Sequence, residues 1–216
     1  MAISKPGEIR KQKAQATRKR MLQAAYRLFC QGGYVSTTME SIAREAGVAV
    51  QTVYFTFHNK TAILKEVFDT AVLGDEAPVP PQARPWFAEM EREPDALRAL
   101  RILVDNASEI LRRVAPLQAV MVAASGDPVA VEVYQRGERL RREGYGRIIR
   151  ILGQKHGLRA RLSPGRAVDV LFVMLSPELF HAMAGCGWSF AEWKNWITDL
   201  LGRELLSKRA LGSRPR

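Results

Sequence analysis

The chain has 216 residues, 47% of them apolar, with 33 Lys+Arg against 22 Asp+Glu for a net charge of +11. That is enough apolar material for a sizeable core, in one large helical body or a small domain joined to a larger one. Its two cysteines, Cys30 and Cys186, make neither a disulfide framework nor a zinc pattern and read as reduced thiols of a cytoplasmic chain; no apolar run reaches the ~18 residues of a membrane span, and the charged N-terminus lacks the apolar stretch of a signal peptide.

The basic surplus is uneven. Residues 1–60 hold 10 Lys/Arg and 3 Asp/Glu. A basic N-terminal segment is the electrostatic footprint of nucleic-acid binding, although excess charge also serves solubility. Residues 1–17, with Lys5, Arg10, Lys11 and Lys13, read as a basic flexible arm, either an extension that touches phosphate or the minor groove or a solvated tail. Met21, Leu22, Ala25, Leu28 and Phe29 then form an amphipathic stripe that predicts a helix over about 17–31, stopped by Gly32-Gly33.

The stretch from Thr37 to Lys60 predicts two short helices around one tight turn. Thr37 with Glu40 has the spacing of a capping box. Ile42, Ala43 and Ala46 supply an apolar face, and Gly47 stands where a helix ends with positive φ. In the second helix Val50, Val53, Tyr54 and Phe57 share one face, while Gln51, Thr52 and Phe55 point elsewhere. A bracing helix, a turn with Gly, and a second helix starting in small polar side chains describe a helix-turn-helix, or more plainly an αα-hairpin inside a helical core. Asn59 caps a further helix to about Leu73, with Ile63, Leu64, Val67 and Phe68 on one side.

Gly74 to Pro85 carries four prolines and reads as an extended linker, dividing a helix-turn-helix domain at 18–74 from a helical domain at 75–216. The rest predicts helices over about 95–114, 116–124, 129–155, 163–186 and 189–207, some nine in the chain and no strands. Pro177 should bend the fourth of these, and Ser189 with Glu192 is a second capping box. The last two present Leu171, Leu175, Leu179, Trp193, Trp196, Ile197, Leu200 and Leu201. That face either seals this subunit's own core or closes a four-helix bundle with a second copy, and we read it as a homodimer interface.

Arg20–Phe29, Gly32–Tyr34, Thr37–Ala43, Ala46–Val48, Thr52–Phe57 and Asn59-Lys60 together resemble the DNA-binding domain of the TetR family of transcriptional regulators. The resemblance ends near Val67. It implies an all-α fold, with an N-terminal three-helix DNA-binding domain and a C-terminal domain for ligand binding and dimerisation. It further implies a repressor that binds a palindromic operator in double-stranded DNA as a homodimer and is released by a small-molecule effector. Base contacts fall to Val50, Gln51, Thr52 and Phe55, since Gln can pair with adenine and Val can meet a thymine methyl. Tyr54 and Lys60 match phosphate-contacting positions of the family. Thr37 and Thr38 can bind phosphate at a helix N-terminus, Thr37 equally serving as a cap alone. The effector pocket rests on the resemblance, with Trp86, Asn106, Met121, Tyr134, Met174 and His181 as candidates that ordinary core packing explains as well. Two positions depart from the family pattern. Ala49 replaces a common capping Ser, and Thr56 replaces a common His or Tyr, which puts a phosphate contact there in doubt.

No nucleophile elbow, zinc-protease, dinucleotide or P-loop motif occurs, and His58, His156 and His181 are scattered. No enzyme, metal or cofactor is expected. The competing reading is an architectural protein that binds nucleic acid by charge without regard to sequence.

Overall fold

The computed structural model describes residues 6–74 and 79–212, and every regular element in them is helical. Lys5 of the expected arm and Pro78 of the expected linker lie outside the described residues. The helices are α1 (Pro6–Ser36), α2 (Met39–Ala46), α3 (Val50–Phe57), α4 (Lys60–Leu73), α5 (Pro85–Arg92), α6 (Ala96–Val114), α7 (Gln118–Ala123), α8 (Pro128–Gln154), α9 (Pro164–Met174), α10 (Pro177–Gly185), α11 (Phe190–Leu205) and α12 (Lys208–Gly212). Single 3₁₀ turns precede α5 and α7. The count exceeds nine because α5 and α12 are too short to leave a periodic signal, and because the helix expected over 163–186 is two. Among the described residues no single helix is long and apolar enough to cross a membrane.

Two compact units form, one from 1–71 with 116–134 and one from 72–115 with 135–216. In the first, α1 packs against α2 and α7, and α2 against α3. Met21, Leu22, Ala24, Ala25 and Phe29 of α1, Ile42 of α2, Val53 and Phe57 of α3, and Ile63 and Leu64 of α4 are buried together with Val120 and Met121 of α7. The arm expected over 1–17 is helical from Pro6. Its 7–16 stretch is rich in Lys, Arg, Gln and Ala, all good helix formers, although it is exposed and carries no apolar stripe. Helical pairing continues past the expected stop to Ser36, but Gly33 (φ 79°, ψ 177°) breaks the helical backbone in a conformation that suits glycine.

The second unit has a core running from Phe87 of α5 through Leu100, Leu103 and Val104 of α6 and Ile148, Ile149 and Leu152 of α8 to α9 and α11. Gly137, Gly144 and Gly146 lie inside α8 without interrupting it. Pro177 does more than bend a helix. It opens α10 as the first residue behind the Ser176 cap, and α9 and α10 meet at 42°. Arg141 of α8 sits at that break. Its guanidinium donates to the Phe172 carbonyl (2.7 Å) and the Leu175 carbonyl (3.3 Å), pairs with Glu138 through two nitrogens (3.1 and 2.7 Å), and lies 3.9 Å from the Phe172 ring centroid.

This core corrects the dimer face. Leu171, Leu175, Trp193, Ile197 and Leu201 are sealed inside the subunit, each no more than 2% exposed. Their spacing marked the inner stripe of each helix. Leu179, Trp196 and Leu200 are only partly covered, and Val173 (53% exposed) and Trp188 (37%) face outward.

Candidate nucleic-acid interface

The helix-turn-helix is α2, the turn Gly47–Ala49, and α3. Gly47 ends α2 in the left-handed region (φ 65°), its N–H returning to the last carbonyls of the helix, and Val48 donates to the Ala43 carbonyl (3.0 Å). Buried Ile42, Ala43 and Ala46 then receive Val53 and Phe57, which are 0% and 2% exposed. With those two turned in, a 3.6-residue period turns Gln51, Tyr54 and Phe55 out. Phe55 is 86% exposed and Tyr54 beside it 45%. Gln51 is exposed, and Val50 and Thr52 are half-buried at the start of the helix. Ala49 offers no side-chain cap, so the first N–H groups of α3 have no side-chain partner at the cap.

The capping box sits one residue later than expected. Thr38, not Thr37, is the cap of α2. Its hydroxyl accepts from Ser41 N–H (3.1 Å), while the Ser41 hydroxyl accepts from Thr38 N–H (3.0 Å). Thr37 is 3% exposed and donates to the Gly33 carbonyl (2.8 Å), which removes it from the candidate DNA contacts. That carbonyl belongs to the residue at which the α1 backbone breaks. Thr38 stays exposed.

Tyr54 donates its hydroxyl to Glu40 (3.3 Å). The Glu40 charge holds the Tyr54 phenol above its usual range, and hydrogen bonds from the Glu40 amide and the Thr38 hydroxyl hold the Glu40 carboxyl below its own. Lys60 opens α4 behind the Asn59 cap, whose side chain accepts from Ala62 N–H (2.8 Å). Its ammonium donates to the Tyr34 carbonyl (2.7 Å) and lies 4.2 Å from the Tyr34 ring centroid, and partial burial lowers its pKa. Two of its three protons remain for an anion. Thr56, doubtful as a contact, spends its hydroxyl on the Thr52 carbonyl (2.7 Å).

Two features of this unit were not foreseen. Arg18 of α1 pairs with Glu66 of α4 and lies 4.8 Å from the Phe57 ring centroid, binding three helices into one brace. Asp127 caps α8 through Val129 N–H (2.9 Å) and accepts the Thr61 hydroxyl of α4 (2.5 Å). With its proton on Asp127, Thr61 receives the Tyr34 hydroxyl (2.9 Å). Neither pairing is spelled in local sequence, since each joins residues far apart in the chain.

The six pocket candidates divide between the two units. Met121, buried, and Tyr134 belong to the first unit, the other four to the second. Trp86 and Met174 pack against the second core, the Asn106 amide donates to the Ile102 carbonyl one turn back (2.9 Å), and His181 is exposed. Among the described residues no cluster of His, Cys, Asp or Glu could hold a metal ion.

Residues 21–67 match the model of a family described as bacterial regulatory proteins, tetR family. The HTH-type transcriptional regulator AcrR of Shigella flexneri is 30% identical over 156 residues, 71% of this chain and 70% of that protein. Among solved structures, a SmeT–triclosan complex superposes with a TM-score of 0.70 at 23% identity, covering 93% of this chain and 98% of the other. NalD, described as the secondary repressor of the MexAB-OprM multidrug efflux pump in Pseudomonas aeruginosa, gives 0.64 at 20%, covering 90% and 98%. At these identities the structural likenesses establish the fold.

Proposed function

Because the chain belongs to the TetR family of bacterial regulatory proteins and is a transcriptional regulator, we propose that it represses its target genes by binding a palindromic operator as a homodimer, and that a small organic molecule held in its second unit releases it. The observation that carries this reading is the solvent-facing stripe of α3, with Phe55 86% exposed beside exposed Gln51 while Val53 and Phe57 lock the opposite face. Such a helix can enter the major groove, Gln51 reading a base edge and Phe55 and Val50 meeting thymine methyls. Thr38, Tyr54 and Lys60 flank it as phosphate contacts, Tyr54 exchanging Glu40 for a phosphate oxygen. Residues 18–74 form the reading domain and the chain beyond them the effector and dimer body.

A two-fold pair of reading heads fits half-sites one helical turn apart, about 34–36 Å. The outward residues Val173, Leu179, Trp188, Trp196 and Leu200 supply the interface. Effector release needs only unequal affinity of the ligand for the DNA-bound and free arrangements. The relatives favour this reading, one being a repressor of an efflux pump and one a complex with triclosan. The protein acts in the cytoplasm, where its operator lies.

Footprinting on the DNA upstream of its own and adjacent genes tests the proposal. One protected palindrome is expected, and Gln51→Ala or Phe55→Ala should each weaken it by about 1–3 kcal/mol while leaving the melting temperature unchanged. Uniform coating of any duplex, falling steeply with salt and indifferent to both substitutions, would instead identify an architectural binder.

A further inference from the structure

Lys60 does not stand free at the start of α4. Its ammonium donates to the Tyr34 carbonyl (2.7 Å) and lies 4.2 Å from the centroid of the Tyr34 ring. That ring is itself held at two places. It stacks against buried Phe29 (6.0 Å between centroids, 26°). Its hydroxyl donates to the Thr61 hydroxyl (2.9 Å), which donates its own proton to Asp127 (2.5 Å). Asp127 is also 3.5 Å from the Tyr34 hydroxyl. Lys60 and Thr61 are neighbours on α4, Tyr34 belongs to the end of α1, and Asp127 comes from the turn between α7 and α8. All four belong to the first unit.

The local reading of Lys60 is a cap on the end of α1, since the last carbonyls of a helix lack helical partners. That use takes one of three ammonium protons and needs neither the ring nor the groups that hold it. The ring matters for another reason. A lysine stem has many rotamers, and a contact with phosphate must freeze them. A stem already laid over a fixed ring has lost that freedom before DNA arrives, so the same contact binds more tightly. The hydrogen bond of the Tyr34 hydroxyl stops the ring from swinging away, and Thr61 with Asp127 fixes that hydroxyl.

Asp127 is the most telling of the three. Its sign is wrong for a unit that approaches phosphate, because a carboxylate near a phosphate-binding lysine weakens the attraction. What it supplies is geometry. It accepts from Thr61 of α4 and, through its other oxygen, from Val129 N–H (2.9 Å) at the start of α8. We propose that Tyr34, Thr61 and Asp127 are positioning residues for DNA binding, a clasp that seats the Lys60 ammonium for a backbone phosphate, with Asp127 reaching it from 66 residues beyond Thr61 in the chain.

This deepens the proposed phosphate contact of Lys60 and rests on it. The test is fluorescence anisotropy of the full chain with a labelled duplex from the DNA upstream of its own gene, across about 50–200 mM salt. Lys60→Met should weaken binding about five- to tenfold near ~0.1 M salt and lower the salt slope by about 1 per chain bound. Asp127→Ala, Thr61→Val and Tyr34→Phe should each weaken it about two- to fivefold, the size of a lost seat over an aromatic ring. Charge alone predicts the opposite for Asp127→Ala, since removing a carboxylate tightens binding to DNA. Asp127→Asn keeps an accepting oxygen and Thr61→Ser keeps the hydroxyl, so each should restore most of the loss. In the Lys60→Met background the clasp substitutions should cost nothing further, whereas a role confined to holding the fold would cost the same in both backgrounds. Tyr34→Phe removes a single oxygen and decides the matter even where Asp127→Ala unfolds by circular dichroism. Binding unchanged by Tyr34→Phe, or equal losses in both backgrounds, overturns the clasp. Lys60→Met without effect overturns the phosphate contact and the clasp together, while an effective Lys60→Met beside silent clasp variants overturns the clasp alone.

Discussion

Arg141 donates to two carbonyls at the break between α9 and α10, with the Tyr145 hydroxyl adding a longer bond to the Leu175 carbonyl (3.4 Å), and removing Arg141 has a calculable cost. Arg141 is 18% exposed, so its interactions are made largely out of water. It donates to two carbonyls at the end of α9, groups that have no helical partner, and its fork also holds Glu138. Arg141→Met keeps the stem over Phe172 but removes every donor. Hydrogen bonds involving a charged group contribute about 1.5–3 kcal/mol each, the longer 3.3 Å bond less, and relief from burying the guanidinium offsets part of the loss. The expected destabilisation is about 3–5 kcal/mol. Arg141→Lys, which can reach one carbonyl but lacks the fork, should lose roughly half as much. Urea unfolding followed by circular dichroism measures both, at fixed protein concentration because the proposed dimer would shift the midpoint. A cost below about 1 kcal/mol for Arg141→Met would show that Pro177 and the Ser176 cap set the break unaided.

Three further outcomes are expected. Ala49→Ser restores a missing cap to α3, at a position already extended (φ −66°, ψ 143°), and should raise stability by about 0.5–2 kcal/mol in the same urea assay. The Thr61 hydroxyl holds the Asp127 carboxyl below its ordinary 3.8, so its stabilisation is present above that value and is lost as pH falls through the lower folded value; Asp127→Asn should flatten that acid limb in pH-dependent melts. Burial pushes the half-covered Cys30 thiol up while Cys186 is exposed, so iodoacetamide should label Cys186 first, read by peptide mass spectrometry.

The reading head was legible because its signals are local. Apolar spacing set Val53 and Phe57 inward, and Gly47 announced its own turn. The cap was misplaced by one residue because both Thr37 and Thr38 suit the role, and the hydroxyl that Thr37 commits to the Gly33 carbonyl becomes visible only in three dimensions. The body was less legible. The stripe through Trp193, Ile197 and Leu201 was visible, but periodicity shows that a face is buried without showing what buries it, and here the subunit's own α6 and α9 do. The pocket candidates were selected for adaptable chemistry on apolar faces, a local criterion that does not say which helices meet.

The first unit is discontinuous in sequence, α7 and the start of α8 returning to α1 and α4 after a long excursion. The unit that holds the reading helices is therefore not complete until α7 and the start of α8 have been made. At about 5–20 residues per second, roughly 3–13 s of synthesis separate residue 71 from residue 134. For that interval the side of α1 that α7 covers is bare, and Thr61 has no Asp127 to hold it. Nascent chains therefore carry a DNA-reading motif before its fastening arrives, and cutting the gene at the proline-rich linker would yield a permanent copy of that intermediate.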